Sequence, residues 1–220
     1  MKFSKETLAL LKNFAGINSN LLLKAGNRLS TVSTQKNVMA HSSITETFTS
    51  DFGIYDLNEF LGAMSLFEDP DMEFSEKFVK ISSGNQSIKY FAAEASVLVA
   101  PTKDSLPVDA DVSFDLTAEQ LGMIIKTASV LRASDVSIIG GDGNITVSVG
   151  DKKNATANSY SFEIGTDDRE YQVNLRVENL KMVLTDYSVA VSSKRISKFA
   201  AKKGDLTYYV AVEADSKIAL

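Results

Sequence analysis

Few side chains in this sequence could do chemistry. Cysteine is absent, which removes disulfides, thiolate nucleophiles and cysteine-held metals. The single histidine, His41, stands in the polar run Met39-Ala40-His41-Ser42-Ser43. It reads as an ordinary strand or surface residue rather than a general base or metal ligand. The carboxylate pairs Asp167-Asp168 and Asp69/Asp71 lack the full oxygen set of a calcium loop. Gly140-Gly141-Asp142-Gly143-Asn144 is glycine-rich but lies between two strand-like runs. A phosphate-binding loop would open a helix, so this run reads as a hairpin turn. No Walker-type loop and no nucleophile elbow occurs. Nothing combines nucleophile, base and electrostatic stabiliser. Binding or scaffolding is favoured over catalysis, with no catalytic residue, cofactor or metal expected.

What remains is placed positive charge. The net charge is −5, which speaks against nucleic acid unless the cations collect on one surface. Four segments carry helical periodicity: residues 4–17, 56–66, 117–131 and 177–184. Plotted at about 100° per residue, Thr7, Leu10, Leu11, Phe14, Ala15 and Ile17 of the first fill one arc. Lys5 and Lys12 fall seven positions apart on the opposite arc. In the third, Lys126 points away from the face formed by Leu121, Ile124, Ile125 and Ala128. In the fourth, Lys181 lies off the stripe of Val177, Leu180, Val183 and Leu184, and Arg176 precedes it. The second has no basic residue; its free face would carry Asn58, Gly62 and Ser65. Acid gathers instead in the run 68–76. Another basic cluster, Lys194, Arg195, Lys198, Lys202 and Lys203, flanks a strand-like segment at 196–200. It would either guard a sheet edge or supply additional DNA contacts.

The elements that must position these residues are readable. Ser4, Asp56 and Thr117 stand as helix N-caps, and Thr117 with Gln120 fits a capping box. Strand patterns occur at 87–91, 97–100, 136–139, 145–149, 159–164, 171–175, 188–191 and 206–212, separated by hairpin signals. The order helix, strands, helix, strands occurs twice, so the fold class is α+β with antiparallel sheets in two similar domains of two helices each. Pro101 and Pro107, two of the three prolines, mark residues 101–111 as an extended connector between domains 1–100 and 112–220. With 44% apolar and 23% charged residues the chain reads as globular. It has no run of the roughly 18–20 apolar residues that a membrane span needs. The opening Met1-Lys2-Phe3-Ser4-Lys5 lacks the apolar stretch of a secretory signal.

Several runs resemble the sliding clamps of T-even-type bacteriophages. They are Lys5-Glu6-Thr7-Leu8-Ala9-Leu10-Leu11-Lys12-Asn13-Phe14-Ala15-Gly16-Ile17-Asn18-Ser19, Ile54-Tyr55-Asp56-Leu57-Asn58-Glu59-Phe60-Leu61-Gly62, Val99-Ala100-Pro101, and Tyr209-Val210-Ala211-Val212-Glu213-Ala214-Asp215-Ser216. They span the chain in the family's order. The resemblance implies a DNA-clamp fold assembling as a closed homotrimeric ring, with six similar domains around a pore that threads double-stranded DNA without reading its sequence. It further implies that the ring tethers the replicative DNA polymerase in viral DNA replication, is opened by an ATP-driven clamp loader and supports late transcription. The setting would be the cytoplasm of the infected bacterial host, with no membrane partner. Lys5, Lys12, Lys126, Arg176 and Lys181 would then face the pore. Tyr90 and Phe91, where related clamps carry a large aromatic and a proline, would lie at the subunit interface. Leu106, Val108, Tyr209 and Val210 would line the pocket for a partner's C-terminal peptide. The rival reading is an oligomeric phage structural or assembly protein that never encircles DNA.

Overall fold

The computed structural model describes residues 1–154 and 156–218. The chain divides into two compact units, Met1–Ser105 and a second beginning at Leu106.

The first unit opens with α1 (Lys5–Ala15), then β1 (Leu21–Leu23), β2 (Gly26–Val32), β3 (Val38–Phe48), β4 (Phe52–Ile54), α2 (Leu57–Ser65), β5 (Asp71–Phe74), β6 (Phe78–Ser83) and β7 (Gln86–Phe91). β1 pairs with β4, β2 with β3, and β5, β6 and β7 form a meander, all antiparallel. The two helices pack on each other and bury Leu11, Phe14, Leu57 and Phe60 completely. Each such side chain contributes roughly 1.5–3 kcal/mol by leaving water. Phe74 stands edge-on to Phe48 and Phe52 at 5.4 and 5.2 Å, tying β5 to β3 and β4. Gly53 is required by a close approach: its carbonyl accepts from Ala93 N–H at 2.9 Å, and an added Cβ would meet the Ala93 oxygen at 2.2 Å.

The second unit runs β8 (Val112–Leu116), α3 (Ala118–Leu131), β9 (Asp135–Gly141), β10 (Asn144–Gly150), β11 (Tyr160–Gly165), β12 (Tyr171–Arg176), β13 (Tyr187–Ser192), β14 (Ile196–Ala201) and β15 (Thr207–Ala211). Its strands form two antiparallel sets, β11-β10-β9-β12 and β15-β14-β13-β8. The glycine-rich run is the β9–β10 hairpin turn: Gly141 pairs with Asn144, and Asp142 and Gly143 take φ of 52° and 82°, as a primed turn demands.

Two expected elements differ. The fourth helix is replaced by one 3-10 turn, Val177–Asn179, so α3 is the one α-helix among the described residues of this unit, where two were expected. Arg176 precedes that turn and gives no side-chain cap. Beyond it the backbone finds other partners: Met182 N–H donates to Leu180 O, Val183 N–H to the Tyr208 hydroxyl, and the Tyr187 hydroxyl to Val183 O. The apolar spacing survives as burial of Leu180 and Met182 without helical geometry. The strand expected at 97–100 is also absent; a 3-10 turn covers Ala95–Val97. Its would-be ladder groups are taken by side chains, since Asn18 donates to Val99 O and Asn20 accepts from Val99 N–H.

Candidate nucleic-acid interface

α1 presents its lysines because its start is fixed twice. Ser4 caps the helix through its hydroxyl, which accepts from Thr7 N–H at 3.1 Å. The Glu46 carboxylate, from β3, accepts from Ser4 N–H and from the Thr7 hydroxyl. With the apolar arc turned inward, Lys5 and Lys12 are exposed, separated along the same face by exposed Ala9. The neighbouring α2, capped by Asp56 through Asn58 and Glu59 N–H, exposes Asn58, Glu59, Gly62 and Ser65. The solvent face of this pair of helices is therefore small, polar and lysine-bearing, with Glu6 and Glu59 as its acids.

α3 begins with the complete capping box: Gln120 N–H donates to the Thr117 hydroxyl, and Thr117 N–H to the Gln120 side chain. Its exposed line carries Glu119, Met123, Lys126 and Val130. Val130 is 74% exposed.

The remaining basic residues divide. Lys181 is exposed but lies beyond the 3-10 turn, on no helix. Arg176 ends β12, and its guanidinium is drawn to Asp135 at 3.7 Å and Glu213 at 3.4 Å. In the 194–203 cluster, Lys194 pairs with Asp109 at 2.6 Å and Lys202 with Asp115 at 2.7 Å. The Asp109 carboxylate holds the Lys194 ammonium above its ordinary range, and Lys202 holds Asp115 below its own. Arg195 occupies a left-handed turn position at φ 65°, Lys198 is half-buried on β14, and Lys203 is exposed.

Tyr90 and Phe91 face opposite ways from β7. The Tyr90 hydroxyl donates to Asp56 O at 3.0 Å, and its ring stands edge-on to Phe60. Phe91 is 68% exposed and leans on Phe78, whose ring lies 4.8 Å under the Lys89 ammonium. Leu106 and Val108 are half-buried, whereas Tyr209 and Val210 are buried within β15. His41 is a buried strand residue of β3. Both carboxylate pairs are engaged by cations: Asp69 by Lys2, and Asp167 by Arg169, whose hydrogen bonds push the aspartate pKa down to about 2. Among the described residues no three His, Asp or Glu side chains converge as a metal site would require, and no helix is long and apolar enough to cross a membrane.

Sequence reasoning missed Glu46, because nothing local ties a carboxylate on β3 to a helix start 42 residues earlier. It also missed Lys152, whose side chain is only 11% exposed between Asp135 and Asp215.

Residues 4–100 match the family model described as DNA polymerase processivity factor, and residues 113–214 the one described as gp45 sliding clamp, C terminal. The sliding clamp of Vibrio phage KVP40 is 33% identical, covering 97% of this chain and all of that protein. That of Enterobacteria phage T4 is 34% identical over 98% of each. Among solved structures, the PCNA of A. fulgidus, bound to the C-terminal region of FEN-1, superposes with a TM-score of 0.73 at 11% identity, covering 98% of both chains. The DNA polymerase III beta subunit of Pseudomonas aeruginosa gives 0.68 at 15%, covering 97% of this chain and 64% of that one. At such identities the structures establish the clamp fold alone. The chain belongs to the sliding clamps of T-even-type bacteriophages, the non-enzymatic processivity factors of DNA polymerase.

Proposed function

We propose that three copies close head-to-tail into a ring that encircles duplex DNA and tethers the replicative polymerase. The observation that carries this reading is the placement of Lys5 and Lys12 on the free face of α1 and Lys126 on that of α3, in a chain whose net charge is −5. A duplex carries about one charge per 1.7 Å of axis. Flexible ammonium groups answer that charge without reading bases, whereas rigid bidentate arginines would hold one register. Lys5, Lys12 and Lys126 are the principal pore residues of this proposal, with Lys181 contributing from its turn. Arg176 is set apart by its two carboxylate partners. The paired Lys194 and Lys202 leave Arg195, Lys198 and Lys203 as the cations of that cluster open to further DNA contact.

Ring closure requires complementary surfaces at the two ends of a subunit. β7 and β11 each end their sheet with one edge unpaired among the described residues, and strand edges invite strand addition. Phe91 is the exposed contact we assign to the seam, with Tyr90 bracing β7 from within. Residues 101–111 serve as the connector. Leu106, Val108, Tyr209 and Val210 are the residues we assign to a pocket for a partner's C-terminal peptide, the first two half-buried and the last two buried. Opening by an ATP-driven loader, support of late transcription and action in the host cytoplasm follow from the family resemblance.

Retention on DNA tests the reading. Loaded protein should remain on closed circles and leave linear DNA through its ends. Equal loss from both would exclude topological enclosure and restore the rival of an assembly protein that never surrounds DNA.

A further inference from the structure

The segment after β15 is fastened to the outer edge of β12 almost without apolar anchorage. Glu213 N–H donates to Asn174 O at 2.9 Å, Asn174 N–H to the Ser216 hydroxyl at 2.9 Å, and Gln172 and Lys217 exchange both backbone bonds at 2.8 and 2.7 Å. Val212 is buried, but no residue from Glu213 to Lys217 is. What fixes the segment beyond its backbone bonds is charge. Asp215 accepts from Lys152 at 2.8 Å and from the Asn174 amide at 3.2 Å, and Glu213 meets Arg176 at 3.4 Å.

The receiving notch is built independently of its occupant. The Asp135 side chain, 3% exposed, draws both Lys152 and Arg176 toward itself at 3.4 and 3.7 Å. Two cations then face one buried carboxylate. With the segment lifted away, the notch would hold an excess positive charge beside an open strand edge. It would be complementary to a segment with carboxylates two residues apart, as Glu213 and Asp215 are; the seated segment presents them from a turn in which Ser216 N–H donates to Glu213 O at 3.1 Å. Backbone bonds would supply affinity and the two cations selectivity.

We propose that the outer edge of β12 is a docking site for a turn-forming segment of Glu-x-Asp chemistry, occupied in cis by residues 213–217, which detach as a strap without unfolding the rest of the unit. The strap leaves β11 as the open edge of its sheet while it is seated. A segment held by exposed hydrogen bonds and ion pairs opens at lower free energy than a ladder such as β9–β10, whose inward face is fully buried. The inference does not depend on ring closure, and neither does its test.

Native-state hydrogen exchange on the intact protein is the first measurement. The Gln172 and Lys217 amides should exchange at least about tenfold faster than those of Ile138 and Val147, and Asp215→Asn should accelerate the former pair only. Exchange of all four at one rate, or equal acceleration throughout, would overturn the proposal. The second measurement uses the chain lacking residues 213–220 and a fluorescent peptide of residues 211–218. Saturable binding is expected, weakened about threefold or more when the peptide carries Glu213→Lys and Asp215→Lys, as the loss of two partly exposed ion pairs implies. No binding, or binding indifferent to those changes, counts against it. If the shortened chain does not fold, the exchange rates decide alone.

Discussion

Glu46 serves a helix that lies far from it in sequence. It is 9% exposed and sits where the first turn of α1 leaves its N–H groups unpaired, a place that favours negative charge. Burial alone would raise its pKa, but the hydrogen bonds from Thr7 and Ser4 outweigh burial and hold it below the usual glutamate range. Because the folded-state value is the depressed one, the charge stabilises the fold above the unfolded pKa of about 4.3. That stabilisation fades as pH falls through the folded value. Glu46→Gln should therefore cost about 1–3 kcal/mol at neutral pH. The gap from the parent protein should narrow progressively as pH falls below the unfolded value of about 4.3; urea unfolding over a series from pH 7 into acid would show it. A gap that did not narrow at all across that series would place the effect in packing instead of charge. Ser4 was legible as a cap because its signal is local. Glu46 was not, since its role exists only once β3 is brought against α1.

At the scale of elements, the helices that carried their own start signals formed where the sequence placed them. Ser4, Asp56 and Thr117 each accept from the helix they precede. Residues 177–184 had apolar spacing but no cap, and the neighbouring Tyr187 and Tyr208 hydroxyls took up the Val183 backbone. Spacing alone signals burial; helical geometry also needs the terminal N–H groups satisfied. The strand expected at 97–100 failed for a related reason, because Asn18 and Asn20 capture Val99 from a distance no sequence window spans. The cap argument makes a sharp prediction. Thr117→Ala should destabilise the second unit by about 1 kcal/mol, with Thr117→Ser close to neutral. A loss confined to transitions of that unit in denaturant unfolding would confirm that the capping box, rather than the apolar face, sets the start of α3.

For the whole molecule, function was legible through two routes of different strength. Blocks of sequence in clamp order gave the family, while charge placement gave a physical reason that an acidic chain can meet DNA. At Arg176 the structure adds a partner that a sequence does not show, the buried Asp135 carboxylate. On α1 and α3, helical periodicity alone sends Lys5, Lys12 and Lys126 to solvent, where the structure has them. All three side chains are exposed, although Lys12 also stands in the last turn of α1, where a cation favours the helix. Lys12→Glu with Lys126→Glu should leave the native mass unchanged and lower the unfolding midpoint only slightly, by the last-turn charge of α1, while shortening the products of primer extension. The salt dependence should change with it. Removing one lysine–phosphate interaction lowers the slope of log affinity against log salt by about 0.9, so a protein loaded on circular DNA should show a shallower dependence in the variant. Unchanged product length and slope would mean that these lysines do not face the duplex, and the pore would have to be lined by other surfaces. A variant that no longer assembled to its native mass would instead assign the same lysines to the seam between subunits.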